Sequence, residues 1–216
     1  SSGSIERPLV FGNNDTPGVM LSSAAKEYMK VYGVLVGKKP LIFTNNDSGY
    51  ETAIEFKKNG VNPLILDTRK EPSSDIITEA KNLGIEIKYS YVVVAAKGYK
   101  KVKSADIAKI SDNKKDLSNI ENIECDCICV SGFWTPSIHL ASQSGNKSEF
   151  NEKIDAFIPK KSKQKENTIG SANGKFTLEE TINEAFNKGY EVSNKITENN
   201  NKVSIPTVVE KKSTEH

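Results

Sequence analysis

Three cysteines, two histidines and no long apolar run set the first limits on this 216-residue chain. The longest apolar stretches, such as Tyr91 to Ala96, fall far short of the ~20 residues that a membrane-spanning helix needs, so no membrane segment is expected. The N-terminus lacks a basic segment followed by an apolar one, which gives no sign of secretion and leaves a cytoplasmic location as the expectation. A dominant charge is lacking too. Thirty basic residues stand against 28 acidic ones, a formal +2, and the lysines are scattered through both halves, so no basic stripe points to nucleic acid.

The scarce residues argue against two further kinds of chemistry. Cys125, Cys127 and Cys129 alternate along one short segment, which sets their side chains on one face of a strand. A disulfide between such neighbours is sterically disfavoured. Their C-x-C-x-C spacing departs from zinc sites and no histidine lies near, so they read as small apolar side chains on a buried strand face. His139 has no acid or cysteine close in sequence, and a structural hydrogen-bonding role is expected of it before proton transfer. No residue reads as a general base or nucleophile.

What is present is a pattern of alternating elements. Ser1 to Gly18 is rich in turn formers and reads as a structured loop. From Val19 to Tyr32, Leu21, Ala25, Tyr28, Met29 and Tyr32 recur at helical spacing and stop at Gly33. Pro40 to Thr44 is then an apolar run, Asp47 to Lys58 is helical in pattern, Asn62 to Asp67 is apolar, Ser74 to Leu83 is helical, and Ile85 to Lys88 is a third strand. That β-α-β-α-β order, over about 38–90, is half of a doubly wound parallel sheet, an α/β fold. Tyr91 to Ala96 and Lys101 to Ile110 form a small meander turning at Gly98, and Cys125 to Ser131 is a returning strand. Together they match the glutathione-reductase-like dinucleotide-binding domain, with flanking helices. A strand is expected at Ala156 to Ile158 and a helix from about Thr177 to Lys188, opened by a Thr177/Glu180 capping box. One domain is thus expected over 1–190. The Asn-, Lys- and Glu-rich 191–216 reads as a polar linker or tail.

Two loops could meet phosphate, because a strand-to-helix turn offers backbone N–H groups and a positive dipole end. In Thr44-Asn45-Asn46-Asp47-Ser48-Gly49, only Gly49 survives of G-x-G-x-x-G, and Asn46 brings a Cβ where phosphate would approach. Asp67 and Arg69 end the following strand, but the loop reads as degenerate, with its helix serving as packing. The second loop, Gly170 to Gly174, feeds a helix N-terminus, and an ordinary capped helix is the competing explanation.

Three segments resemble the α subunit of heterotetrameric sarcosine oxidases. Glu6 to Phe11 with Asn14 to Met20 resembles the loop after the family's first βαβ unit, and Phe43 to Tyr50 resembles its degenerate phosphate loop. The most specific is Ser131-Gly132-Phe133-Trp134-Thr135-Pro136-Ser137-Ile138-His139-Leu140-Ala141-Ser142-Gln143-Ser144-Gly145, although Phe133 stands where the family has glycine and Asn146 interrupts the usual Gly-Gly-Lys. The resemblance covers about Gly3 to Gly189. It implies an internal piece of a larger chain, whose opening Gly3-Ser4 is similar to the end of the first Rossmann unit.

The family resemblance implies sarcosine oxidation on a partner subunit, with O₂ as acceptor and the methylene group passed to tetrahydrofolate. FAD and covalent FMN would be held by the partner β subunit or at its interface, and NAD by the α subunit. Within this chain the resemblance carries the NAD contact to Gly3, Ser4, Gly170, Ser171, Ala172 and Phe176. Ser171 takes the place of the aspartate that usually meets FAD. The implied partners are the other subunits of a heterotetramer. A related opine, hydroxyproline or cyanide-forming amine dehydrogenase subunit, and a non-catalytic assembly module that binds no nucleotide, are the alternatives.

Overall fold

The computed structural model describes residues 3–111, 117, 120–160, 162, 164–197, 204–205 and 207–208. In chain order its elements are β1 (Ser4–Glu6), β2 (Val19–Leu21), α1 (Ser22–Tyr32), β3 (Pro40–Thr44), α2 (Ser48–Lys58), β4 (Leu64–Asp67), α3 (Asp75–Asn82), β5 (Glu86–Tyr89), β6 (Tyr91–Lys97) and β7 (Ser104–Lys109). There follow β8 (Glu121–Glu124), β9 (Cys127–Ser131), β10 (Trp134–Pro136), α4 (His139–Gln143), β11 (Ser148–Asn151), β12 (Ala156–Pro159), a 3₁₀ turn (Gly170–Asn173) and α5 (Leu178–Thr197). The chain divides into two compact units, one built from Glu6–Phe133 and the other from Ser1–Ile5 with Trp134–Lys211. The boundary after Phe133 falls inside the span that the sequence alone presents as one domain.

In the larger unit a five-stranded parallel sheet runs in the order β2-β9-β3-β4-β5. Its central strand β3 is buried along its whole length, as a strand covered on both faces must be. Alternate residues feed two cores. Ile42, Ile65, Cys127 and Cys129 pack with Ala25 and Met29 of α1, Tyr50, Ala53 and Phe56 of α2, and Ile77 of α3. Leu41, Phe43, Leu66, Ile128 and Val130 pack instead with Val93, Val102, Ala105 and Ile107 of the antiparallel β6-β7-β8 meander. Each large aliphatic side chain so buried contributes roughly 1.5–3 kcal/mol. The three helices cover one face and the meander the other.

Two local readings change. Val19–Leu21 is the edge strand β2, paired in parallel with Ile128 to Val130, so the helix begins only at Ser22. The three cysteines do not share a face: Cys127 and Cys129 face the helices, whereas Cys125 lies in the core beneath the meander. The cause is a bend at Asp126, whose carboxylate accepts the N–H groups of Lys38 and Lys39 at 2.7 and 2.8 Å.

The smaller unit contains the β1-β10 pair, a β11-β12 hairpin with Phe150 opposite Phe157, and the helix α5. Thr177 Oγ1 accepts the Glu180 N–H at 3.2 Å, which closes the first turn of α5. The helix runs through Gly189 to Thr197 rather than stopping near Lys188, so its last residues lie in the stretch expected as linker. A mid-helix glycine costs only about 1 kcal/mol. Beyond it Glu191 pairs with Lys188 and Lys195, each at 2.8 Å, holding the next turn.

Candidate nucleotide-binding loops

The first loop leaves the sheet where β3, β4 and β9 end together, with Thr44 opposite Asp67 on one side and Ser131 on the other. In a working dinucleotide fold this is where pyrophosphate and ribose sit. Here side chains of the chain itself fill the corner. Asn46, 1% exposed, donates from Nδ2 to the Ser131 carbonyl at 3.1 Å and to Ser131 Oγ at 3.2 Å, while its Oδ1 accepts the Ser48 N–H at 2.9 Å. The N–H that would have met phosphate at the start of α2 is therefore satisfied by an asparagine. Thr44 Oγ1 accepts the Asn46 N–H at 3.1 Å and donates to the Asn46 carbonyl at 2.8 Å.

The charges close the same way. Asp67, fully buried, accepts from the Tyr50 hydroxyl at 2.7 Å and from Arg69 Nη2 at 2.9 Å, and Arg69 Nη2 also lies 2.9 Å from Asp47. Burial, followed by the negative charge of Asp67, pushes the Tyr50 hydroxyl far above its usual pKa. Burial alone would lower the Arg69 pKa, but its bonds to Asp67 and Asp47 leave it raised. The acid that a Rossmann fold would turn toward ribose is thus already bound by a tyrosine and an arginine. Gly49 is kept for another reason, since a Cβ there would lie 2.6 Å from Thr44 Cβ. Its smallness lets α2 approach β3.

The second loop lies in the smaller unit. Gly170, at φ +69°, opens a 3₁₀ turn that Gly174, at φ +77°, closes before α5 begins. The glycine-bearing turn therefore does not feed the long helix directly. Gly170 N–H donates to Glu184 Oε2 at 2.7 Å and Asn173 Nδ2 donates to Glu184 Oε1 at 2.7 Å. Glu184, a turn and a half into α5, thus holds this turn, and the sequence did not single it out. Gly3, at φ +64°, lies beside Ser171, and a Cβ on it would sit 3.7 Å from Ser171 Oγ. Ser4 starts β1, Ala172 is buried, and Ser171 and Phe176 are half-buried. The structure so brings Gly3 to Ser171, on the same turn as Gly170 and Ala172.

The signature stretch takes up structural positions. Trp134–Pro136 is β10, and His139 is exposed at the start of α4. Glu166 accepts from Ser144, from Asn146 at 3.0 Å and from Ser162 at 3.2 Å, so the polar residues that close the signature bind an internal carboxylate.

No family model matches the chain. It is 30% identical over 178 residues to sarcosine oxidase subunit alpha of Corynebacterium sp. (strain P-1), covering 82% of this chain and 18% of that one. To sarcosine oxidase subunit alpha of Rhizobium meliloti (strain 1021) it is 35% identical over 159 residues, covering 73% and 15%. This chain is homologous to one segment of sarcosine oxidase α subunits. It spans less than a fifth of the length of either relative. Among solved structures, the thioredoxin reductase of Lactococcus lactis matches with a TM-score of 0.64 at 16% identity, over 89% of this chain and 62% of that one. The fold is that of the FAD/NAD(P)-binding reductases.

Proposed function

We propose that this chain is the part of a sarcosine oxidase α subunit that supplies a structural, NAD-holding domain to an amine-oxidising complex. The observation that carries this is identity of 30–35% to sarcosine oxidase α subunits over most of the chain. Oxidation of sarcosine to glycine belongs to another subunit in this reading, with O₂ as acceptor and the methylene group passed to tetrahydrofolate. FAD and covalent FMN are assigned to that partner or its interface.

Of the two loops, the second is the one to which the family resemblance carries the NAD contact. The first has its N–H groups, its acid and its arginine engaged internally. In the second, Gly170 packs against Thr181 and Gly174 against Ile154 and Ile158, while Ser171 is half-buried and offers a hydroxyl beside Gly3. Glu184 narrows what can bind there. A carboxylate bonded to Gly170 disfavours a diphosphate and suits the hydroxyls of a ribose, so Gly3, Ser4, Gly170, Ser171, Ala172 and Phe176 are proposed to hold a ribose end of NAD.

Expression of the whole reading frame with its partner subunits tests the proposal. The expected result is sarcosine-dependent peroxide formation and bound NAD, with no such activity from the 216-residue chain alone. A complex that turns over other amines but not sarcosine would overturn the substrate. A second reading, a non-catalytic assembly module, is favoured by the internal satisfaction of the polar groups in the first loop. It predicts a complex with no NAD.

A further inference from the structure

We infer that the tip of the β6-β7 hairpin is a docking point for a carboxylate-rich protein surface. The tip, Lys97 to Lys103, reads Lys-Gly-Tyr-Lys-Lys-Val-Lys and contains no acid. Tyr99 is 92% exposed at its apex, the most exposed of the large apolar side chains among the described residues. Lys97 pairs with Asp106 at 2.9 Å, and among the described residues Lys100, Lys101 and Lys103 make no ion pair. Three lysines without an ion pair thus share one exposed turn with one aromatic residue, on a chain whose remaining charges nearly cancel.

This turn is built and not loose. Gly98 holds φ +151°, and a Cβ there would lie 1.9 Å from the Lys101 carbonyl. Lys103 N–H donates to the Lys97 carbonyl at 2.8 Å, and Val102 N–H donates to the Pro17 carbonyl at 2.9 Å. The Val102 side chain is fully buried in the core beneath the meander, pinning the tip from below. Between these anchors Tyr99, Lys100 and Lys101 point away from the fold and add nothing to its packing. Because the backbone of the turn is already held, less chain order is lost on binding, and tyrosine is enriched at the centres of protein interfaces.

The neighbouring strand decides the class of partner. β8 carries Glu121 and Glu124 and pairs with β7, so Glu124 lies opposite Ser104, next to Lys103. A nucleic acid strand long enough for the six to ten phosphate contacts of tight binding, roughly, would run across those acids. A compact carboxylate cluster with a slot for the ring meets only the tip. This inference does not depend on the proposed function.

The test uses the full 216-residue chain and two fluorescent probes, a Glu-rich dodecapeptide with a few leucines and a thymidine dodecamer. Saturable binding of the peptide is expected, weakened by added salt as exposed charges are screened. Lys100→Glu with Lys101→Glu should weaken it by about tenfold or more, and Tyr99→Ala by about fivefold. The same charge change at Lys58 and Lys81, exposed positions on α2 and α3 across the sheet from the hairpin, should leave affinity within about twofold, which separates a site from net charge. These positions are exposed, so thermal melts of the variants should match the parent. Absence of peptide binding, equal losses from the control pair, or tighter binding of the oligonucleotide would each overturn the inference.

Discussion

The hydroxyl of Tyr50 donates to Asp67 Oδ2 at 2.7 Å, joining residues 17 positions apart on α2 and β4. The same carboxylate binds Arg69, which binds Asp47, so the corner where a Rossmann fold would receive a nucleotide is closed by a tyrosine, an arginine and two acids. The closure is chemical as well as steric. The Asn46 and Ser48 N–H groups, Asp67 and Arg69 each already have a partner inside the chain.

Replacing Tyr50 with Phe should cost about 1 kcal/mol at neutral pH, the net worth of one buried hydrogen bond, because Asp67 keeps Arg69. The pH dependence is more telling. With the folded pKa raised, the tyrosine's contribution is complete below the unfolded value of about 10 and is lost as pH rises toward the folded value. Urea unfolding at rising alkaline pH should show the parent losing about 1.4 kcal/mol per pH unit more than Tyr50→Phe. Parallel curves for the two proteins would show that Tyr50 ionises as freely folded as unfolded.

Arg69→Met should be far more damaging. It strips the cation from Asp67, which is fully buried, and from Asp47, which is 9% exposed. Breaking a buried pair by removing one partner costs roughly 3–5 kcal/mol. Arg69→Lys should recover only part of this, since one ammonium cannot reproduce the guanidinium contacts from Nε and Nη2 to Asp67. Denaturant midpoints for the three proteins check the order parent, lysine, methionine.

Much of the sheet could be read from local pattern, because local pattern sets it. Pro40 to Thr44 is a strand in both views since five consecutive buried residues between turn formers leave few alternatives. The degenerate loop was legible from Asn46 and Thr44 alone. What closes it was not: the partners Tyr50, Arg69 and Ser131 meet Asn46, Asp47 and Asp67 only once the strands are aligned side by side. Glu184 was hidden for the same reason, lying 14 positions beyond the Gly170 N–H that it accepts. The bend that separates Cys125 from its neighbours depends on Asp126 meeting the backbone at Lys38 and Lys39, 88 and 87 positions earlier. A period-two pattern cannot report such a contact.

The three thiols should resist modification in the native state. Burial, with the nearby Cys127 and acidic groups adding to it, pushes the Cys125 thiol up to about 12, and contact with Cys127 followed by burial raises that of Cys129. Reaction needs the thiolate, which is disfavoured at Cys125 and Cys129, and all three thiols are buried from the reagent. Labelling with a chromogenic disulfide at pH 8 should therefore proceed at the rate of unfolding and speed up with mild urea. Rapid labelling of even one thiol without denaturant would contradict the buried placement.

The loop at Gly170 gives the sharpest test of nucleotide binding. Ser171 Oγ lies beside Gly3, and Glu184 already places one carboxylate on the turn through Gly170 and Asn173. Ser171→Asp would add a second. Against a diphosphate the new charge repels, and NAD content of the complete α subunit should fall several-fold. A ribose hydroxyl pair can donate to an aspartate, so if the loop holds ribose as proposed, NAD should be retained. Ser171→Ala separates this from simple loss of the site, because it removes the hydroxyl without adding charge and should lower NAD content in the ribose case. Glu184→Gln completes the set: it keeps an acceptor for Gly170 N–H while discharging the turn, and should raise affinity if phosphate is the true occupant. If neither Ser171 variant changes the NAD content of the purified complex while both remain folded, the turn is only a cap on the approach to α5.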